Sequence, residues 1–251
     1  MTDKDTASTV GGAENSAEGS AKRREELRAG LERTRSDIHR FAEAAGRPAP
    51  QLLPVTKFHP VEDIALLAEL GLADVAENRE QEARAKAEAL PEMRFHMIGQ
   101  VQTKKANHVA RWAHSVHSLD SEKLARALDR GVALAQERGQ REDTLPVYIQ
   151  VSADGDTARG GCPLEGVSAL VDLVEDLENL QLCGFMVVPP LESDPAEVFT
   201  QVRALTDEVA AKLGRDLKMS AGMSADMEAA IASGTDIVRV GTGIMGERPL
   251  G

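Results

Sequence analysis

The stretch Gln51-Leu-Leu-Pro-Val-Thr-Lys57 decides how this chain can fold. It is a short apolar run between proline-containing turns, with Pro48 and Pro50 before it and Pro60 after it. Runs of this length without clear polar alternation are typical of strands covered on both faces, as in parallel sheets. The run therefore predicts a buried strand that delivers a single lysine to its carboxyl end.

A lysine in this position has two interpretations. Most lysines at strand ends are solvated surface residues without further role. A lysine held among apolar neighbours loses solvation of its ammonium form, so its pKa falls and its amine becomes a nucleophile toward carbonyl groups. Lys57 is therefore a candidate for Schiff-base chemistry, provided that the rest of the chain supplies a reason for it.

Short apolar runs and longer helical patterns alternate through the rest of the chain. Helices separate eight predicted strands, at residues 52–56, 74–76, 94–98, 115–117, 146–151, 181–187, 217–219 and 236–240. This alternation is typical of a parallel α/β sheet, and eight units favour a single closed (β/α)8 TIM barrel. An open doubly wound sheet is the alternative, weakened because no Gly-x-Gly-x-x-Gly follows the first strand.

The amino-terminal region precedes this alternation. Residues 1–20 are rich in small polar and acidic side chains, so we predict a disordered acidic tail that buries too little apolar surface to become ordered. Over residues 21–45, Leu27, Leu31, Ile38 and Phe41 recur at helical spacing, which predicts an amphipathic helix. The expected organisation is a tail, residues 1–20, and one barrel domain with its helix, residues 21–251.

Composition excludes several classes of function. The 251 residues carry a formal net charge of -12, which argues against binding nucleic acid or anionic membranes through a broad field. The two cysteines, Cys162 and Cys183, have no zinc-like spacing with each other or with histidines, so we predict no metal site. Because neither a membrane-spanning segment nor a signal segment is visible, we expect a cytoplasmic protein.

The last two predicted strands end in glycine-rich segments, Met219-Ser-Ala-Gly-Met-Ser224 and Val240-Gly-Thr-Gly243. In a barrel, the carboxyl ends of the strands share one mouth, where active sites lie. Glycines let backbone amides approach an anion, Ser224 and Thr242 add hydroxyl donors, and we predict that Ser224 caps a helix over residues 224–232. Tight turns alone would also need the glycines. Two such loops in succession favour a phosphate site.

Three further polar residues lie in or after predicted strands. Arg239 interrupts an apolar strand, so it either meets a carboxylate in the core or faces a ligand, because a buried guanidinium is costly unless paired. Asn78 and His96 are weaker candidates, since a lone buried polar side chain is most often structural.

A lysine amine, a phosphate cradle and a strand arginine together describe pyridoxal 5'-phosphate (PLP) held as an internal aldimine on Lys57. Arg239 would then approach the pyridine nitrogen. Because an arginine cannot accept a proton, it leaves that nitrogen unprotonated and weakens the ring as an electron sink.

These segments resemble those of the pyridoxal-phosphate homeostasis proteins, once called proline synthetase co-transcribed homologues. The similarity runs from about residue 51 to residue 248. It is carried by Leu53-Pro-Val-Thr-Lys57, Glu77-Asn78, His96-Met-Ile-Gly-Gln100, Gly184-Phe-Met186, Gly222-Met-Ser-Ala-Asp-Met-Glu-Ala-Ala-Ile231 and Val238-Arg-Val-Gly-Thr242.

The resemblance implies a barrel similar to the amino-terminal domain of alanine racemase, which is the type III fold of PLP proteins, with the cofactor on Lys57. It also implies a set of residues around the cofactor. They are Asn78, His96, Ser220, Gly222, Met223, Ser224, Arg239, Gly241 and Thr242.

Racemisation on this fold needs a second base, which related racemases take from a tyrosine of another domain and subunit. This chain has one tyrosine, Tyr148, in the predicted fifth strand, and no second domain is visible. We therefore expect a monomeric PLP-binding protein without catalytic residues that stores, buffers or delivers the cofactor in the cell. PLP-dependent apo-enzymes are the candidate recipients.

Two alternatives remain open at this point. One is a PLP-dependent amino-acid racemase or related enzyme. The other is a cofactor-free lysine aldolase, in which the phosphate loops would hold a sugar-phosphate substrate.

Overall fold

The structure is a computed structural model that describes residues 10–156 and 160–248, with side chains from residue 18 onward. Within these residues the strands are β1 (Gln51–Pro54), β2 (Asp74–Glu77), β3 (Arg94–Met97), β4 (Ala113–Leu119), β5 (Leu145–Ser152), β6 (Cys162–Pro163), β7 (Leu180–Val187), β8 (Lys218–Ser220) and β9 (Ile237–Val240). The helices are α1 (Val10–Ala44), α2 (Val61–Glu69), α3 (Glu80–Ala89), α4 (Ala106–Trp112), α5 (Glu122–Glu137), α6 (Leu164–Asp176), α7 (Pro195–Leu213), α8 (Met227–Ala232) and α9 (Thr242–Met245).

Eight of the strands form a nearly closed parallel barrel in the order β1-β9-β8-β7-β5-β4-β3-β2. A parallel bridge between Val55 and Ala76 brings β1 to β2, and the amide of Thr56 donates to the carbonyl of Ala76 at 3.0 Å. The two-residue strand β6 pairs with β5 outside this order. The predicted single (β/α)8 barrel is therefore confirmed.

Each predicted strand overlaps an observed one, because strands buried on both faces are apolar and end at turn residues. The two-residue strand β6 was not predicted, since two residues carry no periodicity. The last predicted helix, residues 224–232, begins later than expected, because α8 starts at Met227.

Helix α1 also begins earlier than expected. Residues 10–20, predicted to be part of a disordered tail, form the first turns of α1, which corrects that boundary. Ala13, Glu14, Ala17 and Glu18 are good helix formers, so the helix continues beyond the amphipathic part that the pattern detects. Residues 1–9 of the predicted tail lie outside the described residues. None of the described helices is both long enough and apolar enough to cross a membrane.

The amphipathic part of α1 packs on the barrel as predicted. Leu27, Leu31 and Ile38 are almost fully buried in a cluster that includes Val238 of β9 and Ile244 of α9. Gly30 is needed at the crossing, because a Cβ there would lie 2.7 Å from the carbonyl oxygen of Ile244. Helix α1 thus supports the segment that follows the last strand.

The interior of the barrel differs from the layers around it. Apolar side chains fill the space between strands and helices, whereas the interior cluster of Leu53, Val55, Ala76, Tyr148, Met186 and Ile237 is small. Much of the remaining interior is polar, with Ser115, His117, Ser220 and Arg239 all at most 3% exposed. Barrel interiors are more often filled by branched apolar side chains, so this polarity points to function.

Candidate functional site at the carboxyl mouth of the barrel

Lys57 stands on a strained turn just beyond β1. The following residue, Phe58, has φ 68°, which makes it the non-glycine residue with positive φ among those described. Its amide donates to Glu82 Oε1 at 2.7 Å, a contact that holds the turn. Such conformations cost energy and persist at sites where the surroundings enforce them. The half-buried Lys57 side chain is thereby carried by a fixed backbone.

A second lysine anchors the residue before Lys57. Lys86 is 6% exposed, and its ammonium donates to the carbonyl of Thr56 at 2.9 Å and to Glu77 Oε1 and Glu82 Oε1 at 2.7 Å each. Desolvation raises the pKa of Glu77, although the charge of Lys86 opposes it. Sequence reasoning missed Lys86 because its partners lie on three separate segments.

Arg239 lies inside the barrel on β9, which pairs with β1. Its Nη1 donates to Ser220 Oγ at 2.8 Å and its Nη2 to the carbonyl of Val187 at 2.9 Å. Burial lowers the pKa of Arg239 to about 10, so it stays protonated at neutral pH. Among the described residues, no carboxylate forms an ion pair with it. The guanidinium is a buried cation held by neutral groups.

The loop after β8 requires glycine at position 222. Gly222 has φ 94°, and a Cβ there would lie 2.6 Å from the Cβ of Ala230. The amide of Met223 donates to Asp226 Oδ1 at 2.5 Å, which closes the turn. The predicted cap on Ser224 is wrong, because α8 begins only at Met227 and the carboxylate of Asp226 takes up the amide of Met223. The Ser224 hydroxyl stays exposed.

The loops after β8 and β9 meet each other at the end of the barrel that carries Lys57. Ser224 Oγ lies 3.5 Å from where a Cβ of Gly243 would be. A Cβ of Gly241 would lie 3.5 Å from the carbonyl oxygen of Val55, two residues before Lys57. Thr242 is exposed at the start of α9. These two loops, residues 222–224 and 241–243, are called the anion loops below.

Asn78 follows β2 and lines a cavity of about 240 Å³. Gly99 packs so closely on it that a Cβ there would lie 2.0 Å from the carbonyl oxygen of Asn78. Further residues from the carboxyl ends of β3, β5 and β7 complete the lining, among them Gln100, Ser152 and Met186. Asn78 is therefore at the same mouth as Lys57, as predicted.

His96 and Ser220 lie deeper than predicted. Ser220 is fully buried, and its hydroxyl bonds to Arg239 and His117 instead of joining the anion loops. His96 contacts Asp74 and Ser115 and lines a cavity of about 200 Å³ with the first residues of several strands, Gln51, Asp74, Arg94, Lys218 and Ile237. That cavity is at the amino-terminal end of the barrel, so the structure does not group His96 with the carboxyl mouth. The histidine sits mid-strand, and its ring extends toward β2.

The amino-terminal cavity also brings together Asp74, His96 and His114, whose donor atoms lie within 4.8 Å of one another. Arg94 donates to both oxygens of Asp74, at 2.8 and 2.6 Å. Its guanidinium occupies the side of the carboxylate on which a cation would bind. We therefore interpret this group as an ion pair and not as a metal site.

The carboxyl mouth thus combines a lysine amine, a buried cation and two glycine-rich loops with exposed hydroxyls. The model of the alanine racemase N-terminal domain family matches residues 30–249. A pyridoxal phosphate homeostasis protein of Corynebacterium glutamicum is 58% identical over 201 residues, which is 80% of this chain and 91% of the relative. The chain belongs to the pyridoxal phosphate homeostasis protein family. The member from Mycobacterium tuberculosis is 42% identical over 245 residues, 91% of this chain and 95% of its own.

Solved structures agree with this membership of the family. PipY of Synechococcus elongatus, solved with PLP bound, matches with a TM-score of 0.75 and 31% identity over 88% of this chain and 100% of its own. Alanine racemase of Clostridium difficile matches with a TM-score of 0.66 and 15% identity, over 56% of its length, which shows the shared fold alone. The family resemblance predicted from the motifs is therefore confirmed.

Proposed function

We propose that this chain binds PLP at the carboxyl mouth and acts in intracellular PLP homeostasis by storing, buffering or delivering the cofactor. The observation that carries the proposal is Arg239, a buried guanidinium whose observed partners are one hydroxyl and one carbonyl. A buried charge without an anionic partner is costly, so a ligand that uses it explains why it is there. The PLP-bound structure of PipY supports the same identity for the ligand.

Each part of the mouth has a task in this proposal. The Lys57 amine would hold the cofactor through its aldehyde group. The amides and hydroxyls of the anion loops bind the phosphate, and Asn78 lines the wall of the site. Arg239, whose Nη1 donates to Ser220, would face the pyridine nitrogen. When bound, PLP supplies an electron sink for amino-acid chemistry, and an arginine at that nitrogen weakens the sink.

We infer little or no catalysis, because no tyrosine lies at the mouth among residues 10–156 and 160–248 to act as the second base of a racemase. Tyr148, the single tyrosine of the sequence, is 6% exposed and lines the amino-terminal cavity, with its ring 4.2 Å from that of His117. Burial raises the pKa of Tyr148, so its phenol stays protonated at neutral pH and cannot accept a proton. With an amino-acid panel, we expect turnover far below about 1 per second.

We also propose a compartment and an oligomeric state for the protein. The two cysteines form no disulfide, which suits the reducing cytoplasm. We propose a monomer that hands PLP to apo-enzymes, with contacts through the open mouth.

The test is the absorbance spectrum of the protein mixed with PLP. Wild type should develop a near-visible band that borohydride reduction converts into a stable adduct on Lys57. Lys57→Ala should lose the band and the adduct, whereas the control Lys104→Ala, at an exposed lysine, should keep both. A wild-type protein that stays colourless with PLP would contradict the proposal and favour a cofactor-free lysine aldolase. Amino-acid turnover at ordinary enzyme rates would favour the racemase alternative.

A further inference from the structure

A continuous chain of side-chain hydrogen bonds crosses the barrel from the carboxyl mouth to the amino-terminal cavity. Its links are Arg239 Nη1 to Ser220 Oγ at 2.8 Å, Ser220 Oγ to His117 Nδ1 at 3.0 Å, His117 Nε2 to Ser115 Oγ at 2.9 Å, Ser115 Oγ to His96 Nδ1 at 2.7 Å, and His96 Nε2 to Asp74 Oδ1 at 2.9 Å. Ser115 and His117, in the middle of this chain, have no part in the proposed PLP site.

When both histidine rings of the chain are neutral, its Asp74 end fixes the direction of every hydrogen. A carboxylate can only accept, so His96 carries its proton on Nε2 and its Nδ1 accepts the single hydrogen of Ser115. His117 Nε2 must then donate to Ser115, and His117 Nδ1 accepts from Ser220. At the other end Arg239 can only donate, and Ser220 Oγ accepts from it.

The order is free of conflict at Ser115. Its oxygen accepts from His117 and its hydrogen goes to His96, so each group donates once along the chain. Burial lowers the pKa of His117 well below its ordinary value, and positive charge on His96 or Arg239 acts in the same direction.

We propose that, through this chain of hydrogen bonds, His117 and Ser115 act as positioning residues that hold Arg239 in place. A fixed tautomer of His117 keeps the Ser220 hydrogen away from Arg239, so that Ser220 Oγ offers the guanidinium an acceptor and not a competing donor. The Asp74 carboxylate, at the opposite end of the barrel, sets the direction of the whole chain. Arg239 would otherwise be free to reorient toward other acceptors within the mouth.

This inference rests on the proposed PLP site, because Arg239 matters only if a ligand meets it. The first test nevertheless needs no cofactor. In long-range ¹H–¹⁵N spectra of the apo-protein at pH 7, His96 and His117 should each appear as a neutral ring protonated at Nε2. A charged ring at either position, or a His117 protonated at Nδ1, would overturn the one-directional chain.

The second test removes the central hydroxyl and measures both tautomer and PLP affinity. Ser115→Ala should convert His117 to a mixture of tautomers and lower PLP affinity by about threefold, a small loss typical of one neutral hydrogen bond. The matched control is Ser118→Ala on the same strand, where a buried hydroxyl donates to the carbonyl of Gly99 at 2.6 Å outside the chain. A merely structural effect would change stability in both variants alike and PLP affinity in neither.

The outcomes separate the two proposals. If Ser115→Ala and Ser118→Ala bind PLP equally well, or if Ser115→Ala leaves the His117 signals unchanged, the positioning role is wrong. If wild type forms no band with PLP while the apo spectra show the expected tautomers, the proposed function is wrong. The order of hydrogen bonds is then confirmed, but its role in positioning Arg239 for PLP is wrong as well.

Discussion

The two ends of the barrel hold arginines in opposite ways. At the amino-terminal end Arg94 makes a bidentate ion pair with Asp74, and half of its side chain reaches solvent. At the carboxyl end Arg239 is 3% exposed and is held by one hydroxyl and one carbonyl. The first arrangement is complete in itself. The second leaves a buried guanidinium without an ionic partner, although burying an unpaired charge is unfavourable.

This difference distinguishes residues kept for stability from residues kept for a ligand. In barrels, function concentrates at the carboxyl end and stability at the amino-terminal end. The expected consequence is that substitutions at the two ends change different measurements. The predictions below test this separation.

The largest difference should come from removing each arginine. Arg239→Met should weaken PLP binding by about thirtyfold or more, since hydrogen bonds from a charged donor contribute about 2 kcal/mol. Its free energy of unfolding without ligand should stay within about 1 kcal/mol of wild type, because the substitution removes the burial cost of the charge together with its two hydrogen bonds. Absorbance titration and chemical denaturation measure the two quantities.

Arg94→Leu is the matched control at the other end. It should lower the free energy of unfolding by about 1 kcal/mol and leave PLP affinity unchanged, because Asp74 loses an ion pair far from the mouth. If Arg239→Met were the variant that lost stability and kept its affinity, the separation of the two ends would be wrong.

The amino-terminal ion pair should also show its own pH dependence. Burial alone would raise the pKa of Asp74, but hydrogen bonds from Arg94 and His96 lower it well below its ordinary value. A carboxyl whose folded pKa is depressed contributes stability above its unfolded pKa and loses that contribution as pH falls toward the folded pKa. Asp74→Asn should therefore be less stable than wild type by about 1 kcal/mol at pH 7.

That difference should remain constant down to about pH 4 and shrink below it, as followed by denaturation at a series of pH values. PLP affinity should not change, because the asparagine oxygen can still accept from His96. A stability difference that instead vanished between pH 6 and pH 8 would mean that a histidine, and not Asp74, dominates this region.

Much of the fold was predictable from the chain because the strands carry their own signal. Buried parallel strands such as β1 and β9 are apolar runs ended by glycine, proline or asparagine. The start of α8 was not, because residues 224–226 form a turn, closed by the bond from the Met223 amide to Asp226, that the pattern does not reveal. The extension of α1 to Val10 was missed because it lacks an amphipathic pattern.

The site was predictable where a residue follows a strand and less so where it lies within one. Lys57, Asn78 and the anion loops could be placed at one mouth from strand order alone. His96 was expected there as well, because a mid-strand position does not reveal toward which end its ring extends. His117 was missed because His114 and Ser118 obscure the pattern of β4, in which Ser115 and His117 lie two residues apart and face the same side.

The smallest expected effect concerns a single exposed hydroxyl of the anion loops. Thr242→Ala should lower PLP affinity by about threefold, because one neutral hydrogen bond to the phosphate contributes about 0.5–1.5 kcal/mol. Stability should not change, since the side chain is exposed. The control Thr200→Ala removes a hydroxyl that bonds to the carbonyl of Ala196 on an exposed face of α7, and it should leave PLP affinity unchanged. A titration with pyridoxal, which lacks the phosphate, is a second control. Pyridoxal should bind more weakly than PLP, and with the same affinity to wild type and to Thr242→Ala. An equal loss for both ligands would place Thr242 beside the ring and move the phosphate site away from the loop after β9.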